Sequence, residues 1–149
     1  MTASFHFDDY YIGHIMSVYL DKAKELRANT EVHYNCAQGV LVPFAELAGL
    51  TEQQAYKTAA NFGSGMKMAA TCGAITGGLM VLGLCGVDDG PTINAYYARL
   101  KAAHEGFLDC ANLLRINKER GGARKPHCDA MVYECVGIVE EILRERGVI

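Results

Sequence analysis

Between Ala69 and Val87 the chain carries no charged residue, and this stretch restricts the fold more than any other. It is nearly long enough to cross a bilayer, and Gly73-x-x-x-Gly77 has the spacing of a membrane helix-packing motif. Five of its residues are Gly, however, at 73, 77, 78, 83 and 86, and Thr71, Cys72 and Thr76 dilute its apolar character. The reading is a central helix, buried on all sides and approached closely by its neighbours, not a membrane span.

Helices are expected on either side. Ile12, Ile15, Met16, Tyr19, Ala23 and Leu26 fall at helical intervals over residues 8–28, an amphipathic segment with a Lys/Glu outer face. Val40, Leu41, Phe44 and Leu47 mark a helix over 36–48, where Pro43 would press on the carbonyl of Gly39 and the Gly would ease the kink. Thr51-Glu52-Gln53-Gln54 is a capping box opening a helix to about Phe62, which Gly63-Ser64-Gly65 ends. Asp88-Asp89-Gly90-Pro91 reads as a turn, and helices follow over 92–107, 110–119 and 127–146, the last two separated by Gly121-Gly122. No period-two alternation or internal repeat interrupts this pattern. The expected fold is all-α, a compact bundle of about six helices around the Gly-rich one. It forms a single helical domain over 1–149, with an N-terminal helix in 1–30 and a four-cysteine region in 35–149.

Charge narrows the function classes. Fourteen Lys plus Arg stand against seventeen Asp plus Glu, with no long single-sign run, so neither a nucleic-acid groove nor a membrane anchor is expected. Six Cys in 149 residues is far below the density of a secreted disulfide scaffold. Residues Met1 to Asp9 lack a basic n-region and an apolar h-region, so a cytoplasmic, thiol-reducing setting is expected.

The cysteines carry the most information because of the residues in front of them. Asn35-Cys36, Thr71-Cys72 and Asp109-Cys110 each put a strong N-cap residue before the thiol, which predicts Cys at the first helical position. Cys128 follows Pro126-His127, a combination suited to the first turn of a helix. Partial positive charge at a helix N-terminus favours thiolate, the form that attacks disulfides and binds metal. Four converging thiolates would repel one another, a cost that a bound cation or iron–sulfur centre removes. Against this stands a plainer reading, in which small apolar Cys merely fits the start of packed helices.

Asn35-Cys36-Ala37-Gln38-x-Val40, Phe62-Gly63-Ser64-Gly65-Met66 and Thr71-Cys72-Gly73-Ala74-x-x-Gly77-Gly78, followed by Cys110 and Cys128, resemble the C-GCAxxG-C-C family, described as redox-active. The resemblance runs from about residue 35 to the C-terminus and implies that the family's four cysteines are Cys36, Cys72, Cys110 and Cys128. The family is similar to the non-haem part of split-Soret cytochrome c, which implies a [2Fe-2S] cluster held by those four. Ser64 and Lys67 depart from it, in a loop often richer in Gly in relatives.

Haem itself is not expected, because covalent attachment needs Cys-x-x-Cys-His and the closest cysteines, Cys128 and Cys135, are seven apart. The same spacing argues against a thioredoxin-type dithiol and against zinc knuckles, although four dispersed Cys still satisfy tetrahedral zinc. Cys85 and Cys135 read as core thiols, with Cys135 the substitute ligand. His33 and His127 stand near Cys36 and Cys128 as candidates to tune a thiolate or replace a sulfur ligand, with surface or turn positions the alternative. His104 shows no partner in the sequence, Met66, Met68 and Met80 read as core packing, and Glu140-Glu141 reads as a solvated face. Gly63-Ser64-Gly65-Met66-Lys67 lacks the P-loop spacing.

Three functions stay open. One is an electron-transfer or redox-sensing protein with a [2Fe-2S] cluster on Cys36, Cys72, Cys110 and Cys128, working with a protein redox partner. The second is a metal-free thiol–disulfide enzyme using Cys36 or Cys72 as nucleophile. The third is a helical interaction protein with structural cysteines. Homodimerisation is compatible with the Gly-rich helix, which suits close packing between subunits as well as within one.

Overall fold

The computed structural model describes residues 17–149, so the expected helical positions Ile12, Ile15 and Met16 lie outside the described residues. The fold is all-α: α1 Val18–Ala28, α2 Cys36–Leu41, α3 Glu52–Thr58, α4 Gly73–Leu84, α5 Gly90–Ala103, α6 Cys110–Glu119 and α7 Arg124–Glu145. Among the described residues there is no strand, only an isolated antiparallel bridge between Thr71 and Asp109. No helix there is long and apolar enough to cross a membrane.

The Gly-rich helix α4 packs against α2 and α7, and its glycines explain how closely. A Cβ on Gly77 would come within 2.8 Å of the Ala37 carbonyl oxygen, and one on Gly78 would strike the Tyr96 hydroxyl. That hydroxyl donates to the Ile75 carbonyl at 2.9 Å, so a fully buried Tyr has its polar end satisfied only because residue 78 has no side chain. Ala74, Ile75, Val81 and Leu82 of α4 are buried with Val132, Val136 and Val139 of α7. Burial is incomplete, however: Gly83 and Leu84 in the last turn are exposed, and a Cβ on Gly83 would meet nothing within 4 Å.

Pro43 acts as a stop, not a kink. The α-helix ends at Leu41 and the chain tightens into a 3₁₀ turn, Val42–Phe44, with Pro in its first turn where no backbone donor is needed. Gly39 therefore eases no kink. It lets α1 and α7 close on α2, since a Cβ there would lie 3.2 Å from both Arg27 Cδ and Val132 Cγ1. Thr51 and Gln54 form the expected capping box, but α3 ends at Thr58, short of Phe62. Asp88-Asp89-Gly90-Pro91 is a helix start: the Asp89 carboxylate accepts from the Thr92 amide at 3.0 Å and Pro91 sits in the first turn of α5.

Helix α7 anchors the N-terminal helix at both ends. Ser17 caps α1 by accepting from the Leu20 amide, while its hydroxyl donates to Glu140. Glu140 is consequently buried, not part of a solvated face, and Arg144 covers its other oxygen at 3.0 Å. At the opposite end Arg27 bonds Asp129 at 2.7 Å and the Tyr34 carbonyl at 2.8 Å. This second anchor delivers the start of α7 to the start of α2.

Candidate functional site

Four chain segments end around one small cavity of about 30 Å³, the room of roughly one water. Cys36, Cys72, Cys110 and Cys128 all line it, with Arg124 and His127 the charged or titratable side chains beside them. Among the described residues no carboxylate does.

Each thiol arrives by a different local device. Cys36 is the first residue of α2, fixed by a reciprocal cap in which the Asn35 side chain accepts from the Gln38 amide and Gln38 accepts from the Asn35 amide, both at 2.8 Å. Cys72 is itself the N-cap of α4, because Thr71, the expected cap, is committed to the bridge with Asp109. That bridge registers two cysteines at once, with the Cys72 amide donating to Leu108 at 2.9 Å and the Cys110 amide to Ala70 at 2.6 Å. Cys110 opens α6 as expected, though the Asp109 side chain makes no capping bond. Cys128 is the fifth residue of α7, one turn further inside than expected.

Electrostatics separate these four thiols. The amides of Ala74 and Ile75 do lower Cys72, as a helix N-terminus should, but burial outweighs them and pushes its pKa up to about 11. Burial also raises Cys110, with the neighbouring Cys128 adding to it. Cys36 and Cys128 are paired: the Cys36 thiol donates to the Cys128 sulfur, which raises Cys36 strongly and brings Cys128 down to about 6. A hydrogen bond from Arg124 and the charges of Arg124 and Arg27 add to the lowering. Of these four thiols Cys128 alone is lowered, while Cys36, Cys72 and Cys110 are raised. The lowering comes first from the Cys36 thiol and then from the Arg124 guanidinium.

The loop before Cys72 is bent unusually. Ser64, Met66, Lys67 and Ala69 all have φ between 51° and 59°, a left-handed region that costs a non-Gly residue about 1–2 kcal/mol. Ser64 and Lys67, the two departures from the family pattern, are thus at positions where Gly is favoured. Ser64 and Gly65 line the cavity, while Met66 and Met68 turn outward; Met68 is 74 % exposed, not core packing.

The remaining candidates resolve individually. Cys135 is fully buried and its thiol is pushed well up by that burial. Cys85 caps the end of α4 and is only half-buried. His127 lines the cavity, and burial lowers its pKa. His33 is exposed and stands at a second cavity next door. His104 does have a partner, Glu134 at 2.7 Å. Arg124 was not singled out from the sequence, although its position two residues before Pro126 marks it as a first-turn residue of α7.

Among the described residues no three His, Cys, Asp or Glu side chains are grouped so that they hold a single metal ion. A preformed tetrahedral zinc site is therefore not present there. A [2Fe-2S] centre asks for less, since it divides its four ligands between two irons.

A family model described as "Putative redox-active protein (C_GCAxxG_C_C)" matches residues 34–142, spanning all four of these cysteines. Comparison with curated proteins and with solved structures gives no match.

Proposed function

The chain belongs to the C_GCAxxG_C_C redox-active family, and from that premise we propose that Cys36, Cys72, Cys110 and Cys128 hold a [2Fe-2S] cluster serving electron transfer or redox sensing. The observation that carries this reading is that four thiols from four segments line one cavity with no competing carboxylate among the described residues. The donor set fits the group: four sulfurs, two of them close enough to share a proton, in a site without three ligands around one point. Because the cavity holds little more than a water, loading would require the thiols to swing outward. The cluster, when bound, supplies one-electron chemistry. The protein's part is electrostatic: Arg124, Arg27 and the amides of Ala74 and Ile75 offset the negative charge of ionised sulfur. A protein donor or acceptor is then required.

A second reading rests on the Cys36–Cys128 pair alone. The Cys128 thiolate attacks a substrate disulfide, expelling one substrate thiolate. Cys36 then gives up its proton and displaces the other, leaving a Cys36–Cys128 disulfide and two reduced substrate thiols.

Anaerobic reconstitution with ferrous iron and sulfide, followed by absorption spectroscopy and metal analysis, tests the first reading. The expected product is coloured, with about two irons and two sulfides per chain. Cys72→Ser should abolish it and Cys85→Ser should leave it intact. A colourless, iron-free product that forms a Cys36–Cys128 disulfide in a thiol–disulfide buffer would instead establish the second.

A further inference from the structure

Beside the cysteine cavity lies a second, open-mouthed one of about 470 Å³, a size typical of metabolite sites. The two share a wall made by Cys36, Ser64, Arg124 and Cys128. Its lining is one-sided in charge: Arg27, Arg124 and Lys125 contribute, and among the described residues no carboxylate lines it. Arg27 and Lys125 both lean on Asp129, at 2.7 and 3.0 Å, so a single carboxylate serves two cations. Arg124 forms no ion pair among the described residues; besides its contact with the Cys128 sulfur it makes a hydrogen bond to the Ser64 hydroxyl that is long, at 3.4 Å. This excess of positive charge occurs in a chain whose net charge is -3. Leu26 and Tyr34 add an apolar side to the same cavity, which a bare inorganic ion would not use.

We propose that this cavity binds a small organic anion, a carboxylate or phosphate of metabolite size, with its charged head on Arg124 and Lys125 and its body against the Cys36 and Cys128 wall. The proposal extends the redox reading by naming what docks at that centre, and rests on it only for what the bound anion is for. Recognition itself needs no iron.

Site-resolved alkylation of the reduced, iron-free protein tests it, with anionic iodoacetate and neutral iodoacetamide as paired reagents and mass spectrometry as the readout. Thiol ionisation and nucleophilicity cancel in the ratio of the two rates, which leaves the attraction of the anion. At Cys128 that ratio should exceed the value at half-buried Cys85 by about tenfold, as a focusing cationic cleft implies. Arg124→Gln should return it to the Cys85 value, whereas Arg124→Lys should keep most of it. Citrate and adenosine diphosphate should slow iodoacetamide at Cys128 in a saturable way, and the one acting at lower concentration tells carboxylate from phosphate. Equal ratios at Cys128 and Cys85, a ratio indifferent to Arg124→Gln, or no saturable protection by either anion would each overturn the proposal. None of those results bears on iron loading, which is read separately by absorbance.

Discussion

Cys128 and Cys135 lie on the same helix, two turns apart, yet they are chemically unlike. Cys128 faces a cavity, a guanidinium and a second thiol, and its pKa falls to about 6. Cys135 is buried beside Tyr96 in close-packed apolar surroundings, and its thiol is pushed well above the ordinary value. Residue type and helix are shared, so the difference comes from what surrounds each sulfur. One end of α7 is built for chemistry and leaves space. A short distance along, the same helix permits none.

The sharpest way to break this contrast is kinetic. With iodoacetamide at pH 7, Cys128 should react at least about a hundredfold faster than Cys135, since both its ionisation and its access favour it. Cys128→Ser should remove the fast phase. Comparable rates at the two positions would show that α7 does not divide into a reactive end and an inert one.

The inert end is tested next by adding a methyl group where no room exists. Gly78→Ala would drive a Cβ into the Tyr96 hydroxyl and disturb its bond to Ile75, which should cost about 2–3 kcal/mol in denaturant unfolding. Gly83→Ala, in the same helix but with nothing within 4 Å of its new methyl, should gain up to about 1 kcal/mol from helix propensity. Equal effects would mean that α4 is not held closely by its neighbours.

These same positions show what the sequence could and could not reveal. The all-α class, the cap at Asn35, the capping box at Thr51 and the start of α6 at Cys110 rest on interactions within four residues, and all were legible, although the reciprocal bond from Gln38 at Asn35 was not singled out. The lowering of Cys128 was not. It depends on Cys36 meeting Cys128, and on Arg124 standing over the pair, contacts between residues far apart in the chain. Thr71 is the instructive miss: as a local cap it looked ideal, but its pairing with Asp109 uses it differently and leaves Cys72 as the N-cap. Likewise Glu140 looked solvated because its partner, Ser17, lies more than a hundred residues away.

The two ends should also separate by pH. For Cys128 the folded pKa is depressed to about 6 from 9.0, so its contribution to stability is full above pH 9 and is lost as pH falls toward 6. Cys36 and Cys72 are raised, so theirs is full below pH 9 and disappears as pH climbs, for Cys72 through about 11. Thermal unfolding of the reduced, iron-free protein should therefore show greatest stability near pH 9. Arg124→Gln should make the acidic limb shallower, the Cys36 hydrogen bond keeping part of it, and leave the alkaline one. A profile unchanged by that substitution would remove the guanidinium from the explanation.

The smallest expected effect concerns the loop that closes the reactive end. Ser64 holds φ at 51°, a conformation that Gly adopts without steric cost, so Ser64→Gly should relieve about 1–2 kcal/mol of local strain. Glycine also loses more backbone entropy on folding, by about 0.5–1 kcal/mol. The net gain in unfolding free energy should then be about 0.5–1 kcal/mol. The hydrogen bond from Arg124 is too long, at 3.4 Å, to offset this. If Ser64→Gly instead destabilised the protein, that bond would be stronger than its length indicates, and Arg124 would be tied to the loop instead of free to meet an anion. A gain, by contrast, would mean that the reactive end stores strain while the packed end stores none, which is the same division the two cysteines display.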